Sequence, residues 1–366
     1  LLLRTDLLLL RTDLLLLRLL LRNRIFIFAS KIKHPFHFPK ASKESFANLK
    51  ASQGYSGSIM FDWWHFMRGL TAPLFFFVTG LVFVFLLLQT HSPKEKNPRV
   101  RKGLIRGCEL IFWGYLLQLD LRYIQSTFSG ENPFIYAFHV LQCIGVSLLL
   151  LIVLYLIYKK IKKIPLTIYY LFTGVVFFGL WSELNYLESF PKNSPQLLQN
   201  IFKGPYAIFP MIPWAGFTMF GGLFGVIINT YKKKLASIPL SAGLLITAII
   251  LKCLPDVLGF IWLFTRLGEV LLITFIFIQL ERWFTKKGEL FLSVGKKTLF
   301  IYIWHNILLY GMILGFGLNN IIKQKLSALQ AIIGAILFLI IFINFSKLSP
   351  FFDNLKFRFF KFLRIL

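Results

Sequence analysis

The chain has 366 residues, of which 57% are apolar, 17% aromatic and only 15% charged. Soluble domains carry about 25% charged residues, so there is too little polar surface here to cover a water-soluble fold of this size. Yet 41 Lys and Arg stand against 15 Asp and Glu, a formal charge of +26. That balance suits either nucleic acid or a membrane protein with its positive-inside bias. The basic residues sit in short clusters between apolar runs instead of forming one solvated patch, which excludes nucleic acid. The runs are about 20 residues long, enough to span roughly 30 Å of hydrocarbon, and they are continuous instead of alternating, which excludes a β-barrel. The expected fold is all-α, a polytopic transmembrane helical bundle.

Residues 1–60 form an atypical start. The repeat LLLRTDLLLLRTDLLLLRLLLRN places Arg4, Arg11 and Arg18 at a spacing of seven, with Arg22 four residues on. Charges recur every two turns, so the segment reads as an amphipathic helix in the membrane interface. A truncated or mistranslated terminus is the competing account, since the repeat is low in complexity and has no initiator Met. A polar, basic linker follows over 29–58. Residues 61–345 then hold nine predicted spans, at 70–90, 104–121, 139–158, 164–181, 208–229, 238–254, 258–280, 298–317 and 327–345, and 346–366 form a basic tail.

The loops give an orientation. Those after spans one, three, five, seven and nine together carry 22 Lys and Arg, whereas the alternate loops carry six. Every loop obeys the alternation, so the rich side is cytoplasmic, the C-terminus is inside and residues just before 70 are outside. Gly103/Gly107, Gly221/Gly225 and Gly311/Gly315 have the small-xxx-small spacing that lets helices pack closely in lipid. Cys108, Cys143 and Cys253 show no CxxC or Cys/His spacing, so neither a disulfide framework nor a metal site is expected.

Ionisable groups at membrane depth are costly and therefore candidates for function. The densest set is FDWWHFMRGLTAP at 61–73. Asp62, His65 and Arg68 recur every three residues and so share a broad helical face at the outer mouth of the first span. An imidazole there can act as base or nucleophile, with a carboxylate fixing its tautomer. The competing account is a wet interfacial belt, with Trp63 and Trp64 at headgroup depth. His139 opens the third span at the same outer face, as a partner for His65 or as a polar cap. His305, in LFIYIWHNILLYG, lies deep in the eighth span beside Asn306 and one turn from Tyr302. It can orient a substrate, relay a proton or bond between helices. Arg106/Glu109 and Arg266/Glu269 are i,i+3 pairs, best read as internal salt bridges. On the cytoplasmic side, Arg99, Arg101 and Lys102 sit where the second span starts. A helix N-terminus favours anions, so coenzyme A phosphates can dock there, although topology alone also explains the charges.

The stretches FDWWHFMRGLTAPLFFFVTGLVFVFLLL, NPRVRKGLIRG, HVLQCIGVSLLL, FPMIPWAGFTMFGGLFG and KKTLFIYIWHNILLYG occur in that order between about 60 and 345. Together they resemble bacterial relatives of heparan-α-glucosaminide N-acetyltransferase, a family of multi-spanning membrane acyltransferases. The resemblance implies a bacterial inner-membrane enzyme that moves an acetyl group from cytoplasmic acetyl-CoA to an amino sugar or glycan at the outer face. It needs no metal; its partners are the lipid bilayer, acyl-CoA, the glycan acceptor and, as an oligomer, a homodimer. His65, before Gly69-Leu70-Thr71, matches the family's catalytic histidine, and Tyr302 with His305 matches a late Tyr-x-x-His pattern. Asp62, Arg68 and His139 are then supporting residues, and Arg99, Arg101 and Lys102 the donor-facing ones. The family's opening span, with an Asp-x-x-Arg-Gly-like motif, has no counterpart in residues 1–60. A small-molecule or glycan transporter and a catalytically inactive membrane subunit are the other readings.

Overall fold

The computed structural model describes residues 59–89, 97–121, 133–161, 163–186, 194–231, 238–253, 261–284, 297–322 and 328–345. The leucine repeat, the linker and the basic tail lie outside the described residues. The helices are α1 (Ile59–Gln89), α2 (Pro98–Leu116), α3 (Val140–Ile161), α4 (Leu166–Tyr186), α5 (Gln196–Phe202), α6 (Met211–Tyr231), α7 (Ile238–Lys252), α8 (Ile261–Phe284), α9 (Thr298–Tyr310), α10 (Leu318–Ile322) and α11 (Ala328–Phe345), with a 3-10 turn at Pro133–Tyr136. Among the described residues there is no strand, in keeping with an all-α fold.

The centre of the bundle is α6, which packs on α1, α4 and α3. Its sequence, MIPWAGFTMFGGLFGVIINTY, explains why. A Cβ on Gly221 would collide with the Phe77 carbonyl of α1, and one on Gly225 would come within 2.7 Å of the Leu81 carbonyl. From the other side, a Cβ on Gly80 would collide with the Thr218 carbonyl of α6. Two backbones touch here. In lipid no hydrophobic force draws helices together, so this close approach supplies the packing. A second seam joins α2 to α3, where a Cβ on Gly145 would come 2.7 Å from the Gly107 carbonyl, and Gly103 faces Phe83 and Ile152. The first two glycine pairs are thus packing residues. The third is not: α9 stops at Tyr310, and Gly311 and Gly315 both take φ +72 in the loop that follows. Those two serve turn geometry, which only glycine adopts without strain.

Aromatic rings fill the space between the helices. Phe178 of α4 contacts Phe217 and Phe220 of α6 and Phe264 of α8, with centroids 4.9, 5.0 and 5.1 Å away. Phe76 of α1 stacks on Trp214 of α6 at 5.4 Å. Outward faces are apolar too: Phe172, Ile250 and Ile341 are 65%, 58% and 59% exposed, a surface suited to hydrocarbon and not to water. Thr79, Thr230, Thr247 and Thr274 each return their hydroxyl to the carbonyl four residues back, which satisfies it within its own helix.

Among the described residues, five helical segments are long and apolar enough to cross a membrane: Gly69–Gln89, Val140–Ile161, Leu166–Leu184, Met211–Tyr231 and Ile261–Gln279. They coincide with five of the nine predicted spans. The other four fall on weaker helices, so length and composition do not reach the count of nine. Over the predicted 104–121, α2 ends at Leu116 and carries Arg106 and Glu109. Over 298–317, α9 ends at its glycine cap. The apolar stretches Ala242–Lys252 of α7 and Ile336–Phe345 of α11 are short.

Helix direction alternates. Gly221 and Gly225 of α6 meet Phe77 and Leu81 of α1, so these two helices run the same way. Gly107 and Gly114 of α2 meet Leu149 and Gln142 of α3 in antiparallel order, and Gly268 of α8 meets Ala248 and Lys252 of α7. Helices α1 and α6 thus run parallel, and α2 runs antiparallel to α3, as consecutive membrane crossings require. The glycine seam makes a direct prediction. Gly80→Ala will lower the thermal midpoint of the purified protein, with a cost of about 1–3 kcal/mol for overpacking. Gly179→Ala, at a position with nothing within 4 Å, will not lower it.

Candidate functional site

The turn bearing His65 belongs to α1, which runs unbroken from Ile59 through Pro73 to Gln89. Asp62, His65 and Arg68 lie on its first three turns, at successive i,i+3 positions; their side chains lie outside the described residues. His65 stands one turn before Gly69. Proline at 73 has no amide to offer the Gly69 carbonyl, so this turn is where the helix ladder is weakest.

Three charges converge on that turn. Arg266, from the start of α8, brings its guanidinium to Gly69: a Cβ there would sit 3.6 Å from Nη2. The same guanidinium donates from Nη1 to Glu269 Oε2 at 2.8 Å. The other carboxylate oxygen, Oε1, accepts from Lys252 Nζ of α7 at 2.7 Å. Lys252 Nζ also lies 5.6 Å from the centroid of the Phe66 ring on α1. The carboxylate side chain is 7% exposed, against 35% for Arg266 and 47% for Lys252. Glu269 is therefore the buried anchor and the cations form the open side. The i,i+3 pair was legible in the sequence. Lys252 was not, because it counts there only as a loop charge; the packing of α7 on α8 brings it to Glu269.

His139 immediately precedes α3 and is half-buried, and its carbonyl accepts from Cys143 N at 3.0 Å, the first bond of that helix. Its neighbourhood is a cap of irregular chain. Phe138 N donates to Tyr206 O and Phe209 N to Phe138 O, both at 3.0 Å. Buried Asn200 of α5 donates to Tyr136 O at 2.8 Å and accepts from Tyr206 N at 3.2 Å. Gln118, just past α2, donates to Ala137 O at 2.9 Å. Leu121 N donates to Ile313 O at 2.9 Å, which ties the end of α2 to the loop after α9. Ile313 has φ +71, a strained setting for a β-branched residue. Leu70 and Leu74 of α1 share one apolar cluster with Leu141 and Ile144 of α3 and Leu263 and Leu267 of α8.

His305 is buried in α9 and 3% exposed. Its Nδ1 faces the Ile301 carbonyl at 3.1 Å. A carbonyl only accepts, so Nδ1 carries the proton in the neutral ring and Nε2 is the acceptor nitrogen. The Tyr302 ring meets it edge-on at 5.2 Å, and Asn306 Nδ2 donates to Tyr302 O at 2.6 Å. The bond to its own helix holds the ring in one orientation.

Arg99, Arg101 and Lys102 open α2. Asn97 caps this helix by accepting from Arg99 N at 2.9 Å, and donates from Nδ2 to Leu87 O of α1 at 3.1 Å. Val100 N donates to Asn97 O at 3.1 Å, and Pro98 has no amide. The first-turn amides are thus largely used up, so an anion here would be held by the exposed Arg101 and Lys102 side chains and not by the helix terminus. His65 and Leu87 are 22 residues apart on one helix, about 33 Å at 1.5 Å per residue. The basic triplet and the His65 turn therefore lie at opposite ends of α1. Arg106 and Glu109 pair at 2.9 Å, as their spacing predicts. Among the described residues no group of His, Cys, Asp and Glu is placed to hold a metal ion.

The family model for heparan-alpha-glucosaminide N-acetyltransferase, catalytic, matches residues 43–252, more than half of the chain. The match takes in α1 to α7 and ends at Lys252, so Arg266, Glu269 and His305 lie beyond it. No curated protein matches the chain.

The anchored carboxylate yields a stability prediction. Glu269→Gln leaves two cations facing each other beside a half-bonded amide, and will cost about 3 kcal/mol, read as a lower thermal midpoint. Lys252→Gln removes only the more exposed partner and will cost under about 1 kcal/mol.

Proposed function

The chain belongs to the heparan-alpha-glucosaminide N-acetyltransferase catalytic-domain family, a family of membrane acetyltransferases, and from that premise we propose that it moves an acetyl group from acetyl-CoA at the cytoplasmic face to an amino sugar or glycan at the outer face. The match over 43–252 carries this reading, because it includes all of α1 and its His65 turn. In the proposed reaction the acceptor amine or hydroxyl attacks the thioester carbonyl. A new C–N or C–O bond forms, the C–S bond breaks, and the coenzyme A thiolate leaves and takes up a proton. His65 removes the acceptor proton, or carries the acetyl group itself before the acceptor takes it. Asp62 fixes the imidazole, Arg68 and His139 support the developing oxyanion or the acceptor, and His305 orients the substrate from α9. Arg99, Arg101 and Lys102 attract the coenzyme A phosphates where the donor enters, and the donor then moves along the bundle to bring its thioester to the His65 turn.

The proposed topology has nine membrane-embedded helices in a bacterial cytoplasmic membrane, with the C-terminus cytoplasmic. Loop charge supports it, and so does the alternating direction of the helices. A short α2 or α9 suits this arrangement because both end in chain that is hydrogen-bonded to other protein, the condition under which irregular backbone is tolerated at membrane depth.

Two measurements check this reading. In proteoliposomes with labelled acetyl-CoA and glucosamine glycosides, His65→Ala will cut acetyl transfer by about 10²–10⁴-fold without changing the thermal midpoint; an unchanged rate removes His65 from the mechanism. A green fluorescent protein fused after Leu366 will fluoresce, and alkaline phosphatase at the same place will be inactive; the reverse pattern inverts the topology.

A further inference from the structure

The geometry points to a binding site for a secondary amide where the end of α2 meets the start of α3, built on Gln142 and Gln118. Gln142 is on the first turn of α3 and is 0% exposed. Its carboxamide lies against the α2 backbone at Gly114, where a Cβ would sit 2.6 Å from both its Cδ and its Oε1. The side chain that Gly114 lacks is therefore the room that the carboxamide takes. Gln118, one turn beyond Gly114, is half-buried and donates from Nε2 to Ala137 O at 2.9 Å, just ahead of α3. The two glutamines thus line one seam from opposite sides.

The seam is marked by what is left unbonded. Among the described residues, neither Nε2 nor Oε1 of Gln142 has a hydrogen-bond partner, and Oε1 of Gln118 has none either. Trp113 Nε1, one residue before Gly114, is in the same condition. A buried amide without bonds is costly, and an apolar residue of the same shape would avoid the cost. Such a group is answered by a molecule that brings its own donor and acceptor.

The open groups select the chemistry. They are uncharged, so the ligand is a neutral polar group and not an anion. Gln142 Nε2 is a donor on the α3 side, and Gln118 Oε1 is an acceptor on the α2 side. A planar trans amide carries its C=O and its N–H in opposite directions. It can therefore bridge the seam, its carbonyl accepting from Gln142 Nε2 and its N–H donating to Gln118 Oε1. An ester offers the carbonyl without the N–H. Two molecules of the proposed reaction carry such amides: a sugar with an acetamido group, and the pantetheine arm of coenzyme A. The site stands on the unbonded amides, and only these two sources rest on the proposed acyl transfer.

The test uses the full chain in maltoside micelles and three probes: methyl N-acetylglucosaminide, its counterpart with acetoxy in place of acetamido, and pantetheine. Binding is measured by calorimetry, and acetyl transfer is scored separately. At least one of the two amide probes is expected to bind. Where the acetamido sugar binds, the acetoxy sugar is expected to bind about tenfold more weakly, the worth of one hydrogen bond whose loss leaves a buried acceptor open. Gln142→Leu is expected to abolish amide binding without lowering the thermal midpoint of the empty protein, because it removes unbonded polar atoms at similar volume. Binding of the sugar alone assigns the site to the glycan, of pantetheine alone to the donor arm, and of both to the two in turn. Binding of neither amide probe overturns the site and leaves the glutamines to buried water. Equal binding of the acetamido and acetoxy sugars overturns it, as does amide binding that survives Gln142→Leu. A midpoint that falls in both Gln142→Leu and Gln142→Met makes Gln142 a structural residue and also overturns the site. Amide binding without any acetyl transfer sustains the site while defeating the proposed reaction.

Discussion

Backbone contact between α1 and α6 is the constraint on which the rest of the bundle depends. At Gly80, Gly221 and Gly225 there is no room for a single carbon atom between the two helices. That closeness sets the two parallel, and α6 in turn carries α4 through the Phe178 ring cluster and α3 through its other face. Helix α1 is thereby fixed along the length that leads to the His65 turn. A candidate catalytic residue on the first turns of a helix gains its precision from the part of that helix that is locked, and here the lock is made of glycines.

The end of the bundle that carries the His65 turn is organised differently, by polar contacts instead of apolar ones. Asn200, Gln118 and the bridges at Phe138 and Ile313 satisfy backbone groups of irregular chain that cannot bond within a helix. Beside them, Glu269 joins α7 to α8 by accepting from Lys252 and Arg266, and Arg266 reaches α1. Each of these groups would be expensive if left alone at membrane depth, and each has a hydrogen-bond partner within the protein. Polar groups thus specify how the ends meet, where glycines and aromatics specify how the shafts meet.

This division explains what the sequence revealed and what it did not. Hydropathy identifies the long helices, because hydrocarbon demands continuous apolar runs; α1, α3, α4, α6 and α8 all appear where the runs lie. The packing role of Gly103/Gly107 and Gly221/Gly225 follows from spacing alone, because a helix face is local. The Gly311/Gly315 pair has the same spacing and a different use, since a left-handed turn at Gly311 ends the helix before the pattern can form a face. Lys252 joins Arg266 and Glu269 only through the packing of α7 on α8, and Asn200 meets Tyr136 across 64 residues; neither relation has a local signature. The His65 turn was legible as a dense polar motif, but its neighbours come from α7 and α8, which a linear reading does not place.

Membership in the acetyltransferase family and the length of α1 together frame the central claim, that donor and acceptor meet from opposite sides of one membrane. Sealed proteoliposomes of a single protein orientation test it most directly, with labelled acetyl-CoA supplied only at the face bearing the C-terminus and an impermeant glucosamine glycoside only at the other. The account predicts acetylated glycoside in the compartment that never received acetyl-CoA. Product formed only when donor and acceptor share a compartment would contradict it.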